Sequence, residues 1–278
     1  MRSLGGASSC GWIFFPQATK CGAETLDAMV TKLEKTEDGN FIVTCDENFD
    51  GSGDKKVTAR AVIVASGADA KRMGVPGEEE YWTKGVSACA VCDGALPMFR
   101  NKPVIVIGGG DSAMEEATHM TRYASTTYVL HRRDKFRASA VMAKRVLNNP
   151  KISILWNSVL EEIVGDGKQC SGARITNVVT GETTVVDAAG IFFAIGHVPN
   201  TQFLRNSGAP FSEVLDNDAG HMVVEPGTSV TTVPGLFASG DVADKRYRQA
   251  ITAAGSGCMG ALDAEHYLSA QDDGADGH

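Results

Sequence analysis

Residues 103–133, PVIVIGGGDSAMEEATHMTRYASTTYVLHRR, decide the fold because they predict a strand, a glycine turn, a helix and a second strand in succession. Pro103–Ile107 is an apolar run typical of a buried strand, and a helical pattern extends from about residue 112 to residue 123. The apolar and β-branched stretch Thr127–His131 predicts the second strand. Parallel strands joined through a helix indicate an α/β sheet.

The turn in this unit matches the dinucleotide fingerprint Gly108-x-Gly110-x-x-Ala113. The first glycine allows a tight turn, the second lets a pyrophosphate approach the backbone, and Ala113 lets the helix pack closely on the strand. Phosphates would lie at the helix N-terminus, where unpaired N–H groups and the helix dipole favour anions. The predicted cofactor contacts in this turn are Gly108, Gly110, Asp111, Ser112 and Ala113.

The end of the second strand predicts which nicotinamide cofactor binds. An NAD site needs an acidic residue there for the ribose 2′-hydroxyl, but this chain offers His131, Arg132 and Arg133, with Arg137 close behind. Guanidinium groups suit a 2′-phosphate, so the sequence predicts NADPH rather than NADH. The alternative is a solvated basic turn with no ligand.

Cys89 and Cys92 form a C-x-x-C motif followed by Asp93. Such a pair can close a small disulfide ring and activate one thiol, and an adjacent carboxyl can move protons during exchange. Half of a zinc site and two unreactive buried thiols remain as alternatives, although no second cysteine pair or closely spaced histidine pair is available. The other cysteines are scattered, which favours a reducing compartment over a secreted disulfide framework. They are Cys10, Cys21, Cys45, Cys170 and Cys258.

Further elements are predicted on both sides of this region. A strand from Thr58 to Ser66 ends at Gly67, a hairpin turns at Thr180-Gly181, and the last long helix covers 249–268 with a disordered tail from Ser269. Additional strands are predicted at 152–156, 191–195 and 235–239.

The net charge of −8 and pI near 5.3 disfavour nucleic acid as a partner, because phosphate backbones require a basic surface. The sequence also has no apolar run long enough to predict a membrane span.

Six segments together resemble the low-molecular-weight thioredoxin reductases of bacteria and plants, and the likeness extends from about residue 20 to residue 269. The segments are Gly85–Gly94, Val106–Ala117, His131–Ala138, Phe193–Asn200, Gly235–Val242 and Tyr247–Gly255. The resemblance implies a flavoprotein with two dinucleotide-binding domains. An NADPH and redox-disulfide domain, 73–200, would be inserted in an FAD domain made of 1–72 and 201–278.

The resemblance also implies an activity. Electrons would pass from NADPH through FAD to a Cys89–Cys92 disulfide and on to thioredoxin. Cys92 would face the flavin, Cys89 would attack thioredoxin, and Asp93 would be the general acid. Further cofactor contacts implied in this way are Gly67, Ile195, Gly196, Asp241, Arg248, Gln249 and Ala250.

Family members rotate the NADPH domain against the FAD domain, and hinges are expected at Gly74–Gly77 and near Pro199–Thr201. Members are usually homodimers. A cytoplasmic location is expected, with mitochondrion or plastid as alternatives.

One feature departs from the family pattern, because no strand, glycine fingerprint and helix for the FAD pyrophosphate precede Gly108. Residues 1 to about 17 resemble nothing in the family. We therefore expect the FAD domain to be incomplete, as an incomplete gene model would produce, and FAD binding to be weak or absent. Other hypotheses are an NADPH-binding module without turnover and a peroxiredoxin-type disulfide reductase. The cysteine pair argues against a ferredoxin–NADP reductase.

Overall fold

The computed structural model describes residues 11–49 and 51–275 and divides the chain into two compact units. The outer unit consists of Met1–Gly67 and Pro199–His278, and the inserted unit is Ala68–Val198. The predicted domain boundaries, at 72–73 and 200–201, differ from the two points at which the chain passes between these units. The first strand of the inserted unit, Ala68–Ala70, pairs with the strand His197–Pro199. This pairing places the unit boundaries at 67–68 and 198–199.

The first half of the outer unit begins with a helix and an antiparallel sheet of three strands. In chain order the elements are α1 (Gly11–Lys20), β1 (Met29–Lys35), β2 (Phe41–Asp46), β3 (Asp54–Ala59) and β4 (Val62–Val64). The single strand predicted from Thr58 to Ser66 is therefore wrong, because the chain breaks at Arg60-Ala61 into β3 and β4. The two strands belong to different sheets, since β3 pairs with β2 and β4 pairs with a strand near the C-terminus.

The elements of the inserted unit are β5 (Ala68–Ala70), α2 (Glu78–Tyr81), β6 (Val86–Ser87), α3 (Ala90–Asp93), β7 (Val104–Ile107), α4 (Asp111–Met120), β8 (Thr127–Leu130), α5 (Ala140–Leu147), β9 (Ile152–Leu155), β10 (Ser158–Gly165), β11 (Cys170–Asn177), β12 (Thr183–Asp187), β13 (Gly190–Phe193) and β14 (His197–Pro199). Five of the strands form a parallel sheet in the order β6-β13-β7-β8-β9. A three-stranded antiparallel sheet, β10-β11-β12, accompanies it. The turn predicted at Thr180-Gly181 is confirmed, because β11 and β12 pair as antiparallel neighbours.

Strand β7 lies inside this sheet and is buried on both faces. Val104 and Val106 pack in the cluster that contains the inner face of α4, whereas Ile105 and Ile107 pack toward the antiparallel sheet. A strand covered on both sides has no polar face, which explains the continuous apolar run. Burial of each such side chain contributes about 1.5–3 kcal/mol. The predicted α/β class is confirmed.

The second half of the outer unit supplies a strand that pairs with β4 of the first half. Its elements are α6 (Gln202–Ser207), β15 (Leu236–Ala238) and α7 (Ala250–Ala275). Strand β15 pairs in parallel with β4, and these two strands make up that sheet in the part of the chain that the structure describes. A core of buried side chains, including Leu33, Phe41, Leu204 and Phe211, joins the two halves.

Helix α7 continues past Ser269, where the sequence predicted disorder. The hydroxyl of Tyr267 accepts a hydrogen bond from Gln271 one turn later, and Asp272 pairs with Arg60. These contacts extend the helix beyond the apolar pattern that ends near residue 268. Across residues 11–49 and 51–275, no helix combines the length and apolar character needed to cross a membrane.

Candidate active site

The inserted unit carries a disulfide between Cys89 and Cys92, whose Cα atoms lie 5.3 Å apart. We call Ser87–Gly94, the segment around it, the redox turn. Cys89 is the N-cap of the short helix α3, and its Sγ accepts a hydrogen bond of 3.2 Å from the Cys92 N–H. An N–H directed at sulfur stabilises a thiolate more than a thiol, so this contact favours Cys89 as the nucleophile after reduction.

Asp93 is fixed within the redox turn by two hydrogen bonds. Its Oδ2 accepts a bond of 2.6 Å from the Ser87 hydroxyl, and its N–H donates to the Cys89 carbonyl oxygen at 3.1 Å. The carboxyl is therefore held within the segment that carries the cysteine pair, where an acid can serve proton transfer to a leaving sulfur. Cys92 is exposed and Cys89 is half-buried, so exposure favours Cys92 as the sulfur that an outside partner reaches first.

Glu116 is a second carboxyl near the redox turn, and sequence reasoning missed it. It lies on α4, and its Oε2 accepts a long hydrogen bond of 3.4 Å from the Ala90 N–H. Burial raises the pKa of Glu116 to about 7, and the neighbouring Glu115 carboxylate adds to the effect. A glutamate in a helical pattern usually faces solvent, so its spacing gave no signal.

The inserted unit also contains a cleft of about 1110 Å³ at the fingerprint turn. A Cβ on Gly108 would lie 2.5 Å from the Ala194 carbonyl oxygen, and one on Gly109 would lie 2.2 Å from the His131 ring. A Cβ on Gly110 would instead have Arg137 Nη2, 3.6 Å away, as its nearest neighbour. The first two glycines are therefore required by packing, and the third keeps the cleft open. This geometry fits a dinucleotide pyrophosphate.

Basic side chains line this cleft on several sides. The structure brings Arg132, Arg133 and Arg137 to it, which the sequence predicted for a 2′-phosphate. Lys71, Arg72 and Lys135 also line it, and sequence reasoning missed them. Arg72 has structural partners of its own, the Trp82 ring 3.2 Å below and the Glu78 carboxylate 3.5 Å away. The local charge favours a polyanionic ligand.

Two of the predicted cofactor contacts also have protein partners. The Asp111 Oδ1 accepts hydrogen bonds from the Ser139 N–H and hydroxyl at 2.8 and 2.9 Å, which fastens the start of α4 to the start of α5. The His131 Nε2 lies 3.0 Å from the Lys135 carbonyl oxygen, and its ring contacts Phe136 and Trp156. Burial lowers the pKa of His131, so the ring forms a neutral wall of the cleft.

The remaining predicted contacts of the inserted unit lie at the start of α4 and just after β13. Ile195 lines the cleft, and Ala113 lies buried behind the turn while Ser112 is exposed at the start of α4. Gly196 adopts a positive φ of 97°, and its carbonyl oxygen accepts a hydrogen bond from the Lys71 N–H at 3.0 Å. The turn Gly74–Gly77 also lies inside this unit, where the Glu78 carboxylate accepts the N–H groups of residues 73–75.

In the outer unit, the predicted FAD contacts cluster at one sheet edge. Strands β4 and β15 end side by side, so Gly67 and Asp241 follow the same edge. Gly67 has a positive φ of 72°, and burial raises the pKa of Asp241. Arg248 and Gln249 come just before α7, which begins at Ala250. A carboxyl beside a helix N-terminus fits a ligand rich in hydroxyl groups, such as the ribityl chain of a flavin.

A second pyrophosphate turn is not found in the described part of the outer unit. Gly255-x-Gly257-x-x-Gly260 has the letters of the fingerprint but lies inside α7 and follows no strand. Gly260 serves packing instead, because a Cβ there would lie 2.5 Å from Ser239 Oγ. Weak FAD binding therefore stays a prediction.

A family model described as pyridine nucleotide-disulphide oxidoreductase matches residues 17–257, and the chain belongs to this family. Flavin and nicotinamide cofactors characterise it. Within the family, the relatives that this chain resembles include thioredoxin reductases. Mitochondrial thioredoxin reductase 1 of Arabidopsis thaliana is 57% identical over 220 residues, 77% of this chain and 57% of the relative. The Yarrowia lipolytica enzyme is 48% identical over 256 residues, 92% of this chain and 77% of the relative.

Solved structures of thioredoxin reductases are similar in fold. The structure from Giardia duodenalis has a TM-score of 0.81 at 42% identity and covers 94% of this chain and 81% of its own. The structure from Streptococcus pyogenes also has a TM-score of 0.81, at 36% identity, with coverages of 94% and 80%. The predicted two-domain flavoprotein fold is thereby confirmed. The chain spans little more than half the length of its two Arabidopsis relatives, 57% and 56%.

Proposed function

We propose that this chain reduces the disulfide of thioredoxin with electrons from NADPH, as an NADPH-dependent thioredoxin-disulfide reductase. The observation that carries the proposal is the presence, in one compact unit, of a closed Cys89–Cys92 disulfide and a basic cleft at a dinucleotide fingerprint. The names of the relatives support thioredoxin as the partner.

The cofactor sites are assigned from the residues that fit them. The turn from Gly108 to Ala113 would hold the pyrophosphate of NADPH, and Arg132, Arg133 and Arg137 would bind its 2′-phosphate. Gly67, Asp241 and Arg248–Ala250 would hold FAD. When bound, the two cofactors supply hydride transfer and deliver two electrons to the disulfide.

The reduced cysteine pair then acts by thiol–disulfide exchange. The Cys89 thiolate attacks one sulfur of the thioredoxin disulfide, and the departing sulfur takes a proton from the Asp93 carboxylic acid. The Asp93 carboxylate next accepts the proton of the Cys92 thiol as Cys92 attacks Cys89 Sγ. The second thioredoxin sulfur leaves and takes that proton. Two electrons and two protons pass to thioredoxin, and the Cys89–Cys92 disulfide re-forms.

A turnover assay tests this function. The chain with excess FAD and an oxidised thioredoxin should consume NADPH, and NADH should be at least about tenfold less effective because it offers the arginines no 2′-phosphate. Cys92→Ser should accumulate a mixed disulfide with thioredoxin, detected by mass, because Cys89 still attacks but nothing releases it. Cys89→Ser is the control and should trap nothing.

Three results would contradict the proposal. Nucleotide binding without turnover would identify a binding module, and reduction of a peroxiredoxin in preference to thioredoxin would identify the other disulfide reductase. If Cys89→Ser rather than Cys92→Ser accumulates the mixed disulfide with thioredoxin, Cys92 is the cysteine that attacks thioredoxin, which would agree with its greater exposure.

We further propose that the chain forms a homodimer in a reducing compartment, with the cytoplasm as the expected one. The scattered free cysteines Cys21, Cys45, Cys170 and Cys258 support a reducing environment. Mitochondrial relatives in Arabidopsis thaliana and Saccharomyces cerevisiae keep the mitochondrion as the alternative.

A further inference from the structure

Ser87 is a buried serine whose hydroxyl connects two parts of the redox turn. It lies at the end of β6, where its backbone is paired in register with Phe192 of β13, and it is 8% exposed. The hydroxyl donates to Asp93 Oδ2 at 2.6 Å and accepts a hydrogen bond from the Cys89 N–H at 3.0 Å. A sheet strand therefore holds both the carboxyl and the backbone of the first cysteine.

The donors and acceptors of the groups around Ser87 determine the direction of its hydrogen bond to Asp93. A serine hydroxyl has one hydrogen and two lone pairs, and an N–H can only donate. Because Cys89 supplies its N–H to the oxygen, the hydroxyl hydrogen remains for the Asp93 carboxylate. Asp93 is in turn tied to Cys89 through its own N–H, so the three residues form a closed ring.

We propose that Ser87 is a positioning residue for thiol–disulfide exchange, which orients the Asp93 carboxyl so that it protonates the departing sulfur. This proposal rests on the exchange steps proposed above. In each step one S–S bond forms as another breaks, and the leaving thiolate takes its proton from Asp93. Ser87 transfers no proton to or from any group in this reaction. It acts only by orienting the Asp93 carboxyl.

A purely structural role for Ser87 would predict a different result from a positioning role, and two probes separate them. Hydroxyethyl disulfide releases an alkyl thiolate that needs a proton to leave well. The aromatic disulfide 5,5′-dithiobis(2-nitrobenzoate) releases a stable thiolate that needs none, because more acidic thiols leave faster. At probe concentrations low enough that the first attack by Cys89 limits closure, loss of a positioned acid should therefore slow only the alkyl probe.

The experiment uses the full chain without flavin or nucleotide. The protein is reduced, freed of reductant and mixed with each probe, and closure of Cys89–Cys92 is followed by acid quench, alkylation and peptide mass. Exposed Cys21 and Cys258 then do not enter the measurement. Ser87→Ala should slow closure about tenfold with the alkyl probe, part of the gain that general acids provide, and less than twofold with the aromatic probe.

A control and a double variant complete the test. Ser229→Ala removes a buried serine hydroxyl that also donates to an aspartate at 2.6 Å, the Asp263 carboxylate of the outer unit, and should change neither rate. Ser87→Ala in an Asp93→Asn background should add less than a further twofold, because the two residues act as one unit. Equal slowing with both probes, or independent effects of the two substitutions, would overturn the proposal. Because no thioredoxin is used, a wrong choice of partner would leave this result unchanged.

Discussion

At the scale of single residues, two polar side chains that the C-x-x-C motif does not include, Ser87 and Glu116, form hydrogen bonds with the segment that carries the cysteine pair. Cys89, Cys92 and Asp93 are neighbours in sequence, and Arg132 and Arg133 follow the second strand at a fixed spacing. Ser87 and Glu116 gave no such signal. Their roles depend on the pairing of β6 with β13 and on the packing of α4 near α3.

Glu116 should make the stability of the protein depend on pH. Its pKa rises from 4.5 to about 7 on folding, so the folded state favours the protonated carboxyl. Stability is therefore lost as pH rises from 4.5 through 7, and the penalty is complete above pH 7. Glu116→Gln keeps an oxygen for the Ala90 N–H but cannot ionise, so its melting temperature should gain at least about 2 °C over the original chain between pH 5 and pH 8.

Glu115→Gln is the matched control for this prediction. Glu115 precedes Glu116 on the same helix but is exposed, so its substitution should shift the melting temperature little, and only through its effect on Glu116. A melting difference for Glu116→Gln that stays constant from pH 5 to pH 8 would contradict the burial of that carboxyl.

At the scale of elements, the β–α–β unit was predicted well because local sequence determines it. Its apolar strand is buried on both faces, and the glycine turn admits no side chain at two positions. The strand predicted from Thr58 to Ser66 failed for the opposite reason. Residues on both sides of Arg60-Ala61 suit a strand equally, and only their distant partners, β2 and β15, assign them to separate sheets.

The glycine turn yields a prediction at this scale. Gly109→Ala would place a Cβ 2.2 Å from the His131 ring, which Phe136 and Trp156 hold in place. The crowding should reduce the free energy of unfolding by about 1–3 kcal/mol, measured by chemical denaturation. The prediction fails if Gly109→Ala unfolds at the same denaturant concentration as the original chain.

Gly110→Ala provides the comparison, because the atom nearest to its added methyl is Arg137 Nη2 at 3.6 Å. This variant should keep its stability yet bind NADP⁺ more weakly, since the methyl projects into the space assigned to the pyrophosphate. His131→Ala combined with Gly109→Ala should recover part of the lost stability by removing the ring that the methyl meets.

At the scale of the whole molecule, the sequence predicted an inserted domain with boundaries at 72–73 and 200–201, whereas the structure divides the chain at 67–68 and 198–199. Strand β5 is only three residues long and has no motif of its own, so its pairing with β14 could not be read from the chain. The inserted unit has two buried clusters, one on each side of its parallel sheet.

These clusters predict that residues 68–198 fold when expressed alone. The fragment should melt cooperatively by circular dichroism and bind NADP⁺. A fragment of residues 73–198 lacks β5, together with Lys71 and its bond to Gly196, and should melt at a lower temperature. Equal melting of the two fragments would show that β5 does not belong to this folding unit.

The pairing of β5 with β14 also has an evolutionary consequence. Beside these strands, the Asn200 N–H donates to the Gly67 carbonyl oxygen at 3.0 Å, so the chain leaves and re-enters the outer unit at neighbouring points. Insertions whose ends lie close together are readily tolerated by a host domain. Recombination at these two junctions would transfer the cysteine pair and the proposed nucleotide cleft together, and would leave the recipient domain to supply the flavin that passes electrons between them.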